Sequence, residues 1–478
     1  MAAENARLRC ELDEIKARVT ELEAELRRHS GNSGKPPSSD SLTQRAGQNE
    51  ERLSRAERRR RARAVAKQLM KKVKRRPGKQ PGVAGKTLTM VDDPDEVVVH
   101  GPEVCAGCGE SLAGAAVASV ERRQVFDLPE IRAKVTEHRA ETRVCACGQV
   151  TTGVFPDEAR SAACYGPAIR ALGVYLMGRQ HIPVKRAAEL LSDVVGVPVS
   201  TGFLAGVIPE AAEGLGGFLE RLRQLLREAE VVHADETGAR IAGVRYWFHT
   251  VSDALLTYLD CHPKRGLDAF TDIGVLDVFG GVLVSDGWKP YWSLKHCSHA
   301  LCSAHVLRDL AAVAEVDCQA GWANAMADLL VQAKLACDEA REQRLSALPA
   351  GKLKALRRRY TMIVNSGFAA NPDPGRKRNK LEREAFNLLR RLDNQRDELC
   401  RSWADLRVCF DNNEAERSLR MLKLQQKISG CFRTLEGAQA FCALRSYIQT
   451  AMKQGVNVFD ALRRLFEGDP WMPALPGP

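Results

Sequence analysis

The sequence predicts a multidomain α+β protein, and three observations carry that reading. The chain has 478 residues, enough for two to four domains that each bury a core. Its pattern changes along its length: a heptad stretch, a basic stretch containing Gly and Pro, paired cysteines, then short amphipathic helices. After these, apolar strand-like runs are concentrated between residues 230 and 286, with helical segments on both sides. The composition, 44% hydrophobic and 27% charged, is that of an ordinary soluble protein. No apolar leader segment and no membrane-length run is present, so a cytoplasmic chain with reduced thiols is expected, and its 15 cysteines are not read as a disulfide framework.

The first 30 residues read as a coiled-coil oligomerisation helix. Leu8, Leu12, Ile15, Val19, Leu22 and Leu26 alternate in steps of four and three, a narrower seam than a helix packed on its own protein needs. A homo-oligomer is the expected consequence. Residues 31–88 read as a basic linker. Gly34-Lys35 is not a phosphate loop, because no strand precedes it and two prolines follow where a helix should start. From Arg52 to Lys86 there are 15 Lys/Arg against the single acid Glu57, a net +14 that exceeds the +11 of the whole chain. Arg58, Arg59, Arg60, Arg61, Lys71 and Lys72 are therefore expected to contact DNA phosphates without sequence preference, a disordered solvated tail being the blander alternative.

Residues 89–150 read as a zinc-ribbon-like module. Cys105/Cys108 and Cys145/Cys147 form two close pairs with 36 residues between them, and four soft ligands in two tight turns suit one structural Zn²⁺. Gly109 and Gly148 follow the second cysteine of each pair and allow the backbone to fold round the metal. Residues 122–128 and 134–138 alternate like strands. The Cys-x-Cys pair is tighter than usual, so His100 or His138 remains open as a replacement ligand.

Residues 151–218 read as a helical, helix-turn-helix-like domain: one helix from Pro167 to Met177, a second from Val184 to Val195, and a third capped by Ser200 and running to Glu213. Residues 219–300 hold the first part of a catalytic core. A short apolar strand ends at Asp235, two more strand-like runs follow as an antiparallel meander, and a fourth strand ends at Asp286. If the first and fourth strands lie side by side, the two acids meet at one sheet edge. Residues 301–400 read as a mainly helical insertion. In it, Cys302, His305 and Arg308 share one helix face and are given a supporting role, since two ligands do not make a zinc site. The stretch from Lys352 to Lys380 is a second basic surface suited to phosphates.

Residues 401–455 close the core with a helix opening near Asp411, and 456–478 read as a C-terminal tail. In that helix Ala415, Leu419 and Leu422 form the apolar stripe, and Glu416, Arg420 and Lys423 stand beside it at i, i+4 and i+7. Glu414 has the capping-box spacing from Asp411 and is expected to serve the helix's own N-terminus.

Taken in order, these motifs resemble the transposases of the insertion sequence 66 group of bacterial mobile elements. The resemblance spans nearly the whole chain: the leucine seam, Gly31-Asn-Ser-Gly-Lys-Pro-Pro-Ser, the four cysteines, His233-Ala-Asp-Glu-Thr, Ser285-Asp-Gly-Trp, Cys302-x-x-His-x-x-Arg308 and Asn412-Asn-x-Ala-Glu-Arg417. Val83 departs from the pattern at a place where a His is frequent, within the linker. The resemblance implies an RNase H-like core interrupted by the insertion, with an Asp-Asp-Glu triad at Asp235, Asp286 and Glu416. Two Mg²⁺ (or Mn²⁺) ions at the triad, and Arg417, Arg420 and Lys423 as phosphate contacts, complete that expectation. The implied partners are double-stranded DNA, namely transposon ends and target, with accessory proteins of the same element. Rival readings are a non-catalytic zinc-containing DNA-binding repressor, a plain nuclease of the same fold, and a silenced transposase copy.

Overall fold

The structure, a computed structural model, describes residues 88–474. The heptad seam and the arm bearing Arg58, Arg59, Arg60, Arg61, Lys71 and Lys72 lie outside the described residues.

In the cysteine module, strands β1 (Thr142–Val144) and β2 (Val150–Thr152) pair antiparallel, with Thr142 opposite Thr152. The strands expected at 122–128 and 134–138 are not formed. An alternating run becomes a strand only where a second backbone stands beside it, as on the flanks of the Cys145–Gly148 turn and, for a single antiparallel bridge between Val104 and Ser111, on those of the Cys105–Cys108 turn. Four helices follow. Helix α1 (Pro167–Val174) passes into a π-helical turn at Tyr175–Arg179, where a single helix to Met177 was expected. Helices α2 (Val184–Val195) and α3 (Thr201–Glu213) lie at the expected positions, and the Ser200 hydroxyl caps α3 by accepting the Phe203 N–H at 3.0 Å. Helix α4 (Gly216–Glu228) leads into the sheet.

Strands β3 (Val231–Ile241), β4 (Val244–Ser252) and β5 (Thr257–His262) form an antiparallel meander. The β3–β4 turn consists of Ala242 and Gly243, both at positive φ, as a tight two-residue hairpin demands. After α5 (Leu267–Ile273), strand β6 (Val282–Ser285) adds parallel to β3, and β7 (Ser298–Leu301) parallel to β6. The sheet order is β5-β4-β3-β6-β7. The first and fourth strands of the predicted core are thus neighbours.

Cys302–Leu406 belongs to a separate compact unit. It contains α6 (Ser303–Val313), α7 (Asp317–Glu342), α8 (Ala350–Ala369) and α9 (Lys380–Asn394), with single turns at Arg396–Leu399 and Arg401–Ala404. Its interior is built on fully buried Tyr360 and Trp403, the Tyr360 hydroxyl donating to the Leu392 carbonyl at 2.7 Å. Asn379 and Glu382 make a reciprocal capping box at the start of α9.

From Arg407 the chain rejoins the unit that holds the sheet and forms α10 (Asn413–Ser429), α11 (Leu435–Lys453) and α12 (Val458–Phe466). One sheet face, through Phe248, Leu259 and Cys261, packs on Leu419 and Leu422 of α10 and Phe441 of α11. Each buried leucine contributes about 1.5–3 kcal/mol, so the α10 stripe read from the sequence holds the helix on the sheet. A larger core joins Val232 and Leu283 of the sheet to Leu204 of α3, Leu222 of α4, Tyr447 of α11 and Leu462 of α12. Helices α1–α3 therefore share this core and do not stand apart. Residues 456–474 are no free tail, because Ala461 and Leu462 are fully buried there.

Candidate active site

Parallel pairing positions the two aspartates. The β3–β6 register joins His233 to Val284, so Asp235 and Asp286 each lie two residues beyond that pair. Asp235 does not end its strand as expected. It sits in the middle of β3, at the point where the short partner β6 has run out and β4 alone continues the ladder. Asp286 follows β6 directly and accepts the Trp288 N–H at 2.9 Å, which bends the chain away from the sheet. Side chains alternate along β3. His233 and Asp235 accordingly face α10, while Glu236 faces the opposite side, where the Tyr291 hydroxyl donates to it at 2.6 Å.

Glu416 lies one turn into α10, and its charge reaches Asp235. Burial pushes the Asp235 carboxyl up to about 8, reinforced by the negative charge of Glu236, Asp286 and Glu416. Asp235 thus feels three other carboxylates, Glu236 from the opposite face of the sheet among them. Such crowding is what a cation relieves, and hard carboxylate oxygens suit Mg²⁺ or Mn²⁺. Among the described residues, no three His, Cys, Asp or Glu side chains already converge as a metal cage.

The cations of α10 divide. Arg420 approaches Glu416 at 3.9 Å and Arg417 approaches Glu414 at 3.9 Å, both mostly exposed. Lys423, expected at a phosphate, instead donates its Nζ to the Gly238 carbonyl at 2.9 Å, and burial lowers its pKa. Glu414 does not form the expected capping box. Its carboxylate is 2.9 Å from Lys453 Nζ on α11, and the Asp411 carboxylate accepts the Asn413 N–H in its place. Sequence spacing identified a cap but not a cation arriving from another helix.

Several residues escaped the sequence reading. Arg265 pairs with Glu236 at 2.6 Å and lies between two indoles, 4.6 Å from the Trp247 ring and 4.0 Å from that of Trp288. Burial raises the pKa of Glu236, opposed by its bonds from Tyr291 and Arg265. Asn412 and His233 tie α10 to β3 through their side chains. His233, Glu236, Trp288 and Asn412 stand inside motifs quoted above without a role of their own, and Arg265 lies in none of them.

Cys302, His305 and Arg308 lie in the other compact unit at the start of α6, with His305 Nδ1 at 3.2 Å from the buried Cys302 Sγ and Arg308 Nε donating to Ala304 O. In the cysteine module each pair forms its own turn: Gly109 N–H donates to Cys105 O at 2.9 Å, and Gly148 N–H to Cys145 O at 2.8 Å. Both glycines adopt the left-handed conformation anticipated for them, φ 77° and 86°. The backbone N–H of Cys108 lowers the pKa of Cys105, and that of Cys147 lowers the pKa of Cys145, which favours the thiolates a zinc ion takes. Each turn carries two thiols, but the two pairs are not gathered into one cluster among the described residues. His138 Nε2 stands 3.8 Å from Glu158.

Comparison with known families defines the class as transposase. The model described as "Transposase IS66 family" matches residues 162–440, and the "zinc-finger binding domain of transposase IS66" matches residues 102–148. A family of unknown function matches residues 1–88. The chain belongs to the IS66 transposase family, and a transposase role, zinc binding and DNA as a partner follow from that membership. No curated protein matches the chain. No helix among the described residues is long and apolar enough to cross a membrane.

Proposed function

We propose that the protein is an Asp-Asp-Glu DNA transposase that hydrolyses the transposon end and joins the released 3′-hydroxyl to target DNA. The observation that carries the reading is the charge crowding on Asp235, flanked by Asp286 across a parallel strand pair and by Glu416 from α10. The sheet, three antiparallel strands followed by two parallel ones with the insertion at Cys302–Leu406, supports an RNase H-like core. Asp235, Asp286 and Glu416 would hold two Mg²⁺ or Mn²⁺ ions, which when bound supply an activated attacking oxygen and charge stabilisation at the leaving one. The residues themselves orient these carboxylates on rigid elements. Arg417 and Arg420, mostly exposed on the first turns of α10, would hold a neighbouring phosphate as charged donors. Cys105, Cys108, Cys145 and Cys147 would hold the zinc, while the basic arm adds affinity without sequence preference. Self-association through the heptad seam would bring two DNA ends together, and accessory proteins of the same element remain part of the proposal.

A non-catalytic repressor accounts for the cysteine module and the basic arm but gives no use to a buried Asp235 that feels the charge of Asp286 and Glu416. The deciding experiment is strand transfer on a labelled transposon-end duplex with Mg²⁺, comparing wild type with Asp286→Ala. Cleavage and joining by wild type alone support the triad. Activity that survives the substitution overturns it, and binding without cleavage by wild type favours the repressor or a silenced copy.

A further inference from the structure

Asn412 precedes α10 and is 1% exposed, while His233, two residues before Asp235, is 4% exposed. The Asn412 carboxamide donates from Nδ2 to the Ala234 carbonyl at 2.8 Å, and its Oδ1 stands 3.1 Å from His233 Nδ1. Because the amide nitrogen is committed to Ala234, the oxygen faces the imidazole, and His233 donates. One carboxamide therefore grips β3 at the two residues immediately before Asp235. On its other side the Asn412 carbonyl accepts the Glu416 N–H at 3.2 Å, in the first hydrogen bond of the helix. From Asp235 to Glu416 the connection thus runs through a strand, one side chain and one helical turn, with no flexible segment between them.

We propose that the His233–Asn412 bridge is a positioning device that fixes Glu416 relative to Asp235, a proposal that rests on the Asp-Asp-Glu reading above. The chemistry explains the residue types. The bridge needs a side chain that donates and accepts at once, in a place closed to water, and a carboxamide does both where a carboxylate or an alkyl group cannot. Asn412→Asp keeps the acceptor for His233 but turns an oxygen towards the Ala234 carbonyl. His233→Asn puts a carboxamide nitrogen near where Nδ1 stands, whereas His233→Leu removes the donor.

The test uses the full chain and Mn²⁺ alone as the probe, read by titration calorimetry, beside end-duplex affinity, kcat for end cleavage, and thermal melting. Outer-sphere partners of metal-binding side chains typically change affinity or activity about 10–100-fold when removed. Asn412→Leu, Asn412→Asp and His233→Leu are expected to weaken Mn²⁺ binding and kcat within about that range, with end-duplex affinity unchanged and with His233→Asn restoring both. Asp235→Asn serves as the control. If it loses Mn²⁺ while Asn412→Leu and His233→Leu bind and cleave like wild type, the bridge is overturned and the triad stands. If Asp235→Asn keeps wild-type Mn²⁺ binding and cleavage, the triad itself falls. Should Asn412→Leu fail to fold, the His233 pair decides: equal losses in His233→Leu and His233→Asn, matched by equal drops in melting temperature, reduce the bridge to a purely structural contact.

Discussion

Lys453 Nζ lies 2.9 Å from Glu414 Oε1, and this contact separates the two glutamates at the start of α10. Lys453 also donates to the carbonyls of Asp253 at 2.6 Å and Leu256 at 2.8 Å, so Glu414 helps fasten the helix ends to the β4–β5 turn. Glu414→Gln leaves a mostly buried ammonium without its counter-ion and should destabilise the protein by about 1–3 kcal/mol, measured by urea unfolding. End cleavage should persist at a temperature where the variant is folded. Glu416→Gln should reverse the pattern, abolishing cleavage with stability and DNA binding nearly unchanged. Equal loss of activity in both variants would contradict the division.

Gly287, directly after Asp286, has φ 85°, and a Cβ there would meet Leu301 Cδ1 at 2.7 Å. Gly287→Ala therefore strains the backbone and displaces a buried neighbour at once. A loss of about 1–3 kcal/mol is expected, with cleavage reduced beyond what the unfolded fraction explains because Asp286 moves. Denaturation and cleavage assays on the same preparation test this, and an unchanged cleavage rate would dissociate the turn from the site.

The raised carboxyl of Asp235 sets a pH dependence. In the unfolded chain it titrates near its ordinary 3.8, and in the folded protein near 8. Between these values the native state holds a proton that the unfolded state has released, so stability falls as pH rises through this window and levels off above about 8. Asp235→Asn should flatten the slope. Thermal melting without divalent cations from pH 5 to pH 9 measures it, and a slope that Asp235→Asn leaves intact would assign the dependence to another group.

Arg265 and Glu236 form a further testable pair. The Glu236 side chain is only 2% exposed, so Arg265→Ala strands a buried carboxylate, whereas Glu236→Gln removes the charge that needs a partner. Arg265→Ala should cost about 2–4 kcal/mol, moderated by the water that reaches the guanidinium, and the double variant should recover part of it. Strict additivity in a double-mutant cycle would show that the two side chains act independently.

Chelation tests the cysteine module. The protein should contain one zinc per chain by elemental analysis, lost in Cys108→Ser or Cys147→Ser, while His138→Ala should retain it. Zinc loss in His138→Ala with retention in Cys147→Ser would exchange the fourth ligand.

Much of the site was legible from local pattern. The stripe of Ala415, Leu419 and Leu422, the Ser200 cap, the Gly109 and Gly148 turns and the apolar run before Asp286 all follow from periodicity and backbone chemistry within a few residues. The misreadings share one cause. The strands expected at 122–128 and 134–138, the cap assigned to Glu414 and the reading of 456–478 as a tail each depended on a partner distant in sequence. Lys453 takes the place of the cap, and the core beneath α12 holds the described part of the tail.

The sequence by itself determined which residues had the chemistry to matter: carboxylates beside apolar strands, thiols in paired turns, and a helix with one apolar stripe. These are properties of covalent order, and period and spacing express them. Only the tertiary structure decided that β6 lies parallel to β3, that Glu236 is turned to the opposite face and neutralised by Arg265, and that Asn412 bridges α10 to the strand of Asp235. Side-chain hydrogen bonds join residues far apart in the chain, His233 and Asn412 by 179 positions and Lys453 and Asp253 by 200, and no local window contains both partners.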